Sequence, residues 1–289
     1  NETRNSWWNH DFLELMSKRW NLGNVTTMLD VGCGIGHWGR TLAPFLNKNA
    51  NIIGIDKEDS WIEKAREHVK SMDSLQNFKY QMGSAENLPF EDNSFDLVTC
   101  QTVLIHLKNP IKVLQEFLRV TKPKGMVAVA EPNNLAGSVI RNSITFDDPI
   151  DQLLNNCKLQ AICERGKRNL GEGDISLGDV MPGLFQQVGL NNISTYLSDK
   201  CSTMIPPYSE REMTHLIEEI SNSLKRDVWI WNKSDTKRYF LAGGGNKLDF
   251  ESLWNDVFSK HEEVITAIKS KKFHFAGGNM MYLVAGYKE

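Results

Sequence analysis

The sequence predicts an α/β protein: an open, mostly parallel sheet of seven strands with helices on both faces and helical insertions in its second half. Three observations carry this. Short, nearly continuous apolar runs alternate with helical patterns through the first half, as expected for parallel strands buried on both faces. A glycine cluster, Gly32, Gly34 and Gly36, follows the first such run directly. After Glu131 the alternation gives way to long stretches of helical spacing, broken by two further strand-like runs.

Taken in order, Thr26-Thr27-Met28-Leu29-Asp30-Val31 reads as a buried strand, followed by a helix from about His37 to Leu46. Asn51 to Asp56 is the second strand and Ser60 to Val69 the helix after it. Phe78 to Met82 and Phe95 to Cys100 are the third and fourth strands. A helix with Ile111, Leu114, Phe117 and Leu118 on one face comes next. Lys122-Pro123-Lys124-Gly125 ends that helix and launches the fifth strand, Met126 to Ala130. Helical spacing then runs from about Asn133 to Asn169, with Leu153, Leu154, Cys157, Ala161 and Ile162 in step. A short helix (Gly178 to Val188) and a strand (Asn192 to Leu197) restore the α/β rhythm. A second helical stretch occupies Ser209 to about Lys269. Its clearest part is one apolar stripe, Phe250, Leu253, Trp254, Val257, Phe258, Val264, Ile265 and Ile268, with Asp249 as the expected N-cap. Met280 to Tyr287 closes the chain as a strand.

These elements divide the chain into an N-terminal helical lid (1–25), a core (26–132), a helical cap insertion (133–177), a return to the core (178–200), a second cap insertion (201–277) and a final core strand (278–289). Trp7, Trp8 and Phe12 are expected to staple the N-terminal segment to the core. The aromatic residues Trp229, Trp231, Tyr239, Phe240, Phe273 and Phe275 are expected mostly to form the insertions' own core.

Composition narrows the function. With 289 residues, 40% hydrophobic and 24% charged, the chain can bury a sizeable core. No apolar run approaches the roughly 20 residues that span a bilayer, so no membrane partner is expected. The net charge is −3, and no basic block exceeds a short cluster such as Lys269, Lys271 and Lys272, which argues against a nucleic-acid surface. Cys33, Cys100, Cys157, Cys163 and Cys201 are odd in number and form no CxxC pair. Neither a disulfide framework nor a metal site is expected, and a reducing, cytoplasmic setting fits. The polar, Trp-bearing opening lacks the pattern of a signal peptide.

The chemistry concentrates in Leu29-Asp30-Val31-Gly32-Cys33-Gly34-Ile35-Gly36-His37-Trp38-Gly39. Glycines directly after a strand let the backbone approach a ligand closely. Gly34 to Gly39 satisfies GxGxxG, a weak signal alone. Asp56 ends the second strand, where an acid can accept hydrogen bonds from both hydroxyls of a ribose.

The spacing Asp30-x-Gly32-x-Gly34-x-Gly36 resembles the first motif of class I S-adenosylmethionine (SAM) dependent methyltransferases. Gly83-Ser84-Ala85-Glu86-Asn87-Leu88-Pro89-Phe90, Asn93-Ser94-Phe95-Asp96-Leu97-Val98, Leu104-Ile105-His106-Leu107-Lys108-Asn109-Pro110 and Leu118-Arg119-Val120-x-Lys122-Pro123-x-Gly125 continue the match in order. The resemblance covers about residues 26–132 and implies a Rossmann-like fold that binds SAM and releases S-adenosylhomocysteine. It places cofactor binding on Asp30, Gly32, Cys33, Gly34, Gly36, Asp56, Lys57, Ser84, Ala85, Glu86, Gln101 and Thr102. Many relatives have Asp at the position of Ser84, which is expected to meet the adenine amino group. A hydroxyl still accepts that bond, at a cost of about 0.5–1.5 kcal/mol.

Asp30 itself discriminates between cofactors. A carboxylate at the strand tip repels a pyrophosphate but suits the ammonium of a methionine moiety; otherwise it caps the turn. Methyl transfer from a sulfonium needs alignment above all, worth about 7–11 kcal/mol in well-oriented cases. Two residues stand at strand ends as catalytic candidates. His106 is a proton acceptor for the substrate or a packing group, since an unperturbed imidazole titrates near neutrality. Glu131 orients the acceptor, serves as base, or caps the segment that follows.

Ile205-Pro206-Pro207-Tyr208 resembles the signature of amino-group methyltransferases but stands away from the fourth strand and lacks its polar first residue, so it reads as a helix-entry turn. Gly243-Gly244-Gly245-Asn246-Lys247 reads as a helix–helix connection. The expected activity is methylation of a small, fairly apolar metabolite by a monomer or homodimer. A SAM-binding module without turnover and a nicotinamide-dependent oxidoreductase are the alternatives.

Overall fold

The computed structural model describes residues 7–70, 77–208, 211–226, 228–278 and 280–289. In chain order its elements are α1 (His10–Arg19), β1 (Thr27–Val31), α2 (His37–Leu42), β2 (Asn51–Asp56), α3 (Asp59–Lys70), β3 (Asn77–Met82), β4 (Phe95–Gln101), α4 (Pro110–Val120), β5 (Thr121–Asn133), α5 (Ile150–Asn169), α6 (Met181–Gln187), β6 (Asn191–Leu197), β7 (Ser202–Met204), α7 (Arg211–Lys225), α8 (Lys233–Ala242), α9 (Lys247–Phe258), α10 (Lys260–Lys269), β8 (Phe275–Gly277) and β9 (Met280–Tyr287). No described helix is long and apolar enough to cross a membrane.

Seven strands form the expected sheet, in the order β3-β2-β1-β4-β5-β9-β6. β1 runs parallel to β2 and β4, β2 to β3, and β4 to β5; β6 is antiparallel to β9. The chain winds outward from β1 to β3, then crosses back to β4 on the other side of β1. This reversal opens a crevice at the carboxyl ends of β1 and β4, the place where open α/β sheets bind ligands.

The chain divides into two compact units. One contains Trp8–Pro132, Leu177–Asp199 and Met281–Glu289, which is the large sheet with its helices. Alternation along the strands sorts its core. Leu29, Val31, Val98, Cys100, Val127 and Val129 pack with Val113, Leu114, Phe117 and Val120 of α4 and with Met181 and Phe185 of α6. The opposite face carries the polar set Asp30, Thr99 and Gln101, all buried. α4 starts where the sequence signals it: Asn109 caps it by accepting from the Lys112 N–H, and Pro110 needs no donor in the first turn. Trp8 stacks on Phe12 and lies 5.3 Å from the Trp38 ring, joining the N-terminal segment to α2. The part of the expected lid before Trp7 lies outside the described residues.

The other unit contains, among the described residues, Trp7, Asn133–Ser176 and Lys200–Met280. Leu159, Cys163, Tyr239, Phe240, Phe250, Leu253 and Trp254 form its main core, with Trp229 and Trp231 packed against it. A second cluster joins Met204, Met213, Val264, Ile268 and Phe273. Four details depart from the sequence reading. Residues 133–169 are not one helix, since α5 begins only at Ile150, after the Asp147-Asp148-Pro149 entry. The apolar stripe from Phe250 to Ile268 is two helices that meet at Ser259. The N-cap of α9 is Asn246, accepting from the Leu248 N–H, while Asp249 sits in the first turn. β7 and β8 form an antiparallel pair within the segment the sequence marks as a second helical insertion.

Candidate active site

The loop after β1 is shaped by three left-handed glycines, Gly32, Gly34 and Gly36, at φ of 65°, 52° and 75°. They alternate with ordinary residues, so the chain coils tightly over the strand tips. Gly32 has the side chain of Val103 beneath it: a Cβ there would stand 2.5 Å from Val103 Cγ2. Above Gly34 the space is open, with no atom within 4 Å of where a Cβ would project. Cys33 buries its thiol in a cluster with Ile62, Ala65 and Tyr80.

Asp30 is 1% exposed. Its Oδ2 accepts the Gly39 N–H at 2.9 Å, tying the strand tip to α2, while its Oδ1 has no hydrogen-bond partner. It thus ties down the turn and keeps one oxygen in reserve. Its register neighbour Thr99 accepts from Trp38 Nε1 at 2.8 Å. Gln101 lies two residues on, on the same face, 5% exposed, with neither end of its amide hydrogen-bonded. A buried, unsatisfied polar group costs about 1–3 kcal/mol, so such groups converging at a strand end ask for a polar ligand.

Asp56, at the tip of β2, is half-buried. Its Oδ2 accepts the Gly34 N–H at 2.9 Å and its Oδ1 the Glu58 N–H at 3.0 Å. Each oxygen keeps a second acceptor site for a hydroxyl. Lys57 is exposed beside it. After β3, the Ser84 hydroxyl accepts from the Glu86 N–H at 3.2 Å and Ala85 packs against the sheet core. The Glu86 carboxylate lies 3.3 Å from Lys112 of α4, a surface pair.

The loop after β4 holds Thr102, at a left-handed φ of 54°, and a short turn of helix, Leu104–His106, that leaves His106 exposed. A β-branched residue in that conformation is strained, a feature concentrated at functional sites. Glu131, at the end of β5, is fully buried. Its Oε1 accepts the Val103 N–H at 2.9 Å and the Leu104 N–H at 2.8 Å, and its Oε2 is unpartnered. It is turned into the protein, toward the β4 loop. The sequence reading missed Thr99, Trp38 and Val103. Thr99 was legible: Thr99 and Gln101, spaced by two, are polar residues at the carboxyl end of a mainly apolar strand.

Burial pushes both Asp30 and Glu131 up to about 7, against the N–H bonds that Gly39 gives the one and Leu104 and Val103 give the other. Unfolded carboxyls titrate near pH 4, so the folded chain holds extra protons between about pH 4 and 7 and loses stability as pH rises through that window. The denaturation midpoint of the ligand-free protein is therefore expected to be higher at about pH 5 than at about pH 8, and Asp30→Asn or Glu131→Gln should each flatten the difference. A wild-type midpoint that rises over this range would contradict the assignment.

Residues 23–239 match the family described as Methyltransferase domain. Over 129 residues the chain is 34% identical to a demethylmenaquinone methyltransferase of Listeria welshimeri, covering 44% of this chain and 52% of that protein. It is 35% identical over 125 residues to an uncharacterized methyltransferase of Schizosaccharomyces pombe, covering 42% of this chain and 45% of the relative. The match thus spans about half the length of these curated relatives. The solved structure of the YcgJ protein from Bacillus subtilis shares the fold, with a TM-score of 0.51 and 20% identity over 97% of this chain and 99% of that one. The chain belongs to the methyltransferase-domain family and has the architecture of a class I SAM-dependent methyltransferase.

Proposed function

We propose that this chain transfers a methyl group from SAM to a small-molecule acceptor, and that the acceptor is fairly apolar. The observation that carries the reading is the reserve oxygen of Asp30, buried and unpartnered at the head of the glycine loop. A cationic ammonium beside it satisfies that oxygen and favours the charged carboxylate; a pyrophosphate would meet repulsion. The Gln101 amide, one donor end and one acceptor end, suits an amino-acid group in the same place. Asp56 has the spare lone pairs for two ribose hydroxyls, and the open space over Gly34 admits the nucleoside. Ser84 and Ala85 are proposed to meet the adenine, with Lys57, Glu86 and Thr102 at the margins of the site.

When bound, the sulfonium supplies an activated methyl and leaves as a neutral thioether. The protein's work is then to orient donor and acceptor and to move one proton. His106, exposed on the loop after β4, is proposed to take the proton from an acceptor hydroxyl or amine.

The test is transfer of label from methyl-tritiated SAM to a panel of small metabolites. The wild type is expected to label at least one acceptor, and His106→Gln to slow transfer by ~10-fold or more while leaving SAM affinity within about twofold. Tight SAM binding with no transfer to any acceptor would instead mark a binding module. Unchanged transfer in the variant would return His106 to packing.

A further inference from the structure

We propose that Glu131 is a positioning residue that holds the loop after β4 in the shape the donor site requires; the inference rests on the methyltransferase reading above. Three successive backbone N–H groups leave the end of β4 and all are taken up by the end of β5. Thr102 donates to the Ala130 carbonyl at 2.9 Å, and Val103 and Leu104 donate to the single oxygen Glu131 Oε1 at 2.9 and 2.8 Å. The Cys100 thiol lies 3.6 Å from that same oxygen. No solvent reaches Glu131, which is 0% exposed, so nothing else replaces these bonds when they are broken.

The bracket matters because of what the loop carries. Thr102 is held at a left-handed φ of 54°, a conformation that persists only where its surroundings enforce it. Val103 is the floor under Gly32, within 2.5 Å of where a Cβ would stand. Gln101 precedes the strained residue, and His106 closes the next turn by donating its N–H to the Val103 carbonyl at 3.0 Å. One carboxylate oxygen therefore fixes the support of the glycine loop, the direction of the Gln101 amide and the approach of His106.

The experiment measures S-adenosylhomocysteine affinity by calorimetry in the wild type, Glu131→Ala, Glu131→Gln and Glu131→Asp. Thermal melting serves as the folding control, and amide exchange is followed at Val103 and Leu104. The alanine variant is expected to lose roughly 10- to 100-fold in affinity and to exchange faster at both amides. The glutamine variant, whose amide oxygen can still accept both N–H groups, is expected to stay within about threefold of wild type. Equal affinity in wild type and Glu131→Ala, or equal loss in the alanine and glutamine variants, would overturn the proposal. If the alanine variant does not fold, the aspartate variant decides: its carboxylate is one methylene short and is expected to bind as weakly as alanine would, and wild-type affinity there overturns the proposal. A wild type that fails to bind S-adenosylhomocysteine removes the methyltransferase reading and this inference together. A wild type that binds, with an alanine variant that binds equally, removes the inference alone.

Discussion

Replacing Asp56 with alanine is expected to weaken S-adenosylhomocysteine binding by about 100-fold, close to 3 kcal/mol, the scale of two hydrogen bonds to a charged group. The effect has two sources. Asp56 Oδ2 fixes the middle of the glycine loop through Gly34, and its Oδ1 fixes the start of the next helix through Glu58, so the empty site itself loosens without it. The same two oxygens offer the lone pairs that a ribose diol needs. Asp56→Asn keeps one acceptor oxygen and the side-chain volume, so it is expected to lose about tenfold. Calorimetric titration separates the three proteins directly; an alanine variant within about threefold of wild type would remove Asp56 from the site.

Gly36→Ala and Gly34→Ala are expected to divide stability from binding. At Gly36 the backbone is left-handed, φ 75°, and a Cβ would stand 2.3 Å from the Tyr80 hydroxyl and 2.7 Å from its ring. Tyr80 is buried in the cluster with Cys33, Ile62 and Ala65 and cannot swing away. Left-handed strain and overpacking together cost about 2–4 kcal/mol, which lowers the melting temperature of a chain this size by about 5–10 °C. At Gly34 the φ is also left-handed, 52°, but nothing lies within 4 Å of the added methyl. Only backbone strain of about 1–2 kcal/mol remains, so Gly34→Ala should melt within a few degrees of wild type. It should nevertheless lose donor binding, because its methyl fills the space the nucleoside is proposed to enter. Melting and calorimetry on both variants make the comparison. Wild-type affinity in Gly34→Ala would mean that the open space over the loop is not where the ligand lies.

Much of the sheet was legible because its strands are apolar runs closed by turn residues, and that signal is local. The motif acids and glycines were legible for the same reason: Asp30, Gly32, Gly34 and Gly36 sit where the first strand must end. What those residues do was less legible, because it depends on partners far along the chain. Asp96 belongs to the same motif series, yet its carboxylate accepts the Thr26 and Thr27 N–H groups and pairs with Lys122 at the amino ends of the strands, away from the site. Glu131 stood out as an acid at a strand tip, but its inward turn onto the Val103 and Leu104 amides is set by the β4 loop, nearly thirty residues earlier. In the second half the apolar stripe fixed which residues are buried without fixing the break at Ser259, since two helices meeting end to end present nearly the same spacing as one. The Asn246 cap outcompeted Asp249 because an Asx side chain at the helix entry reaches the Leu248 N–H, whereas Asp249 is already within the first turn.

The most direct measurement of the central claim is a titration of the wild-type chain with S-adenosylhomocysteine, repeated with NAD. Saturable one-to-one binding of the homocysteine nucleoside, undisturbed by excess NAD, is the expected result. Binding of NAD with none of S-adenosylhomocysteine would show that the crevice at the ends of β1 and β4 accepts a pyrophosphate after all, and that Asp30 was misread.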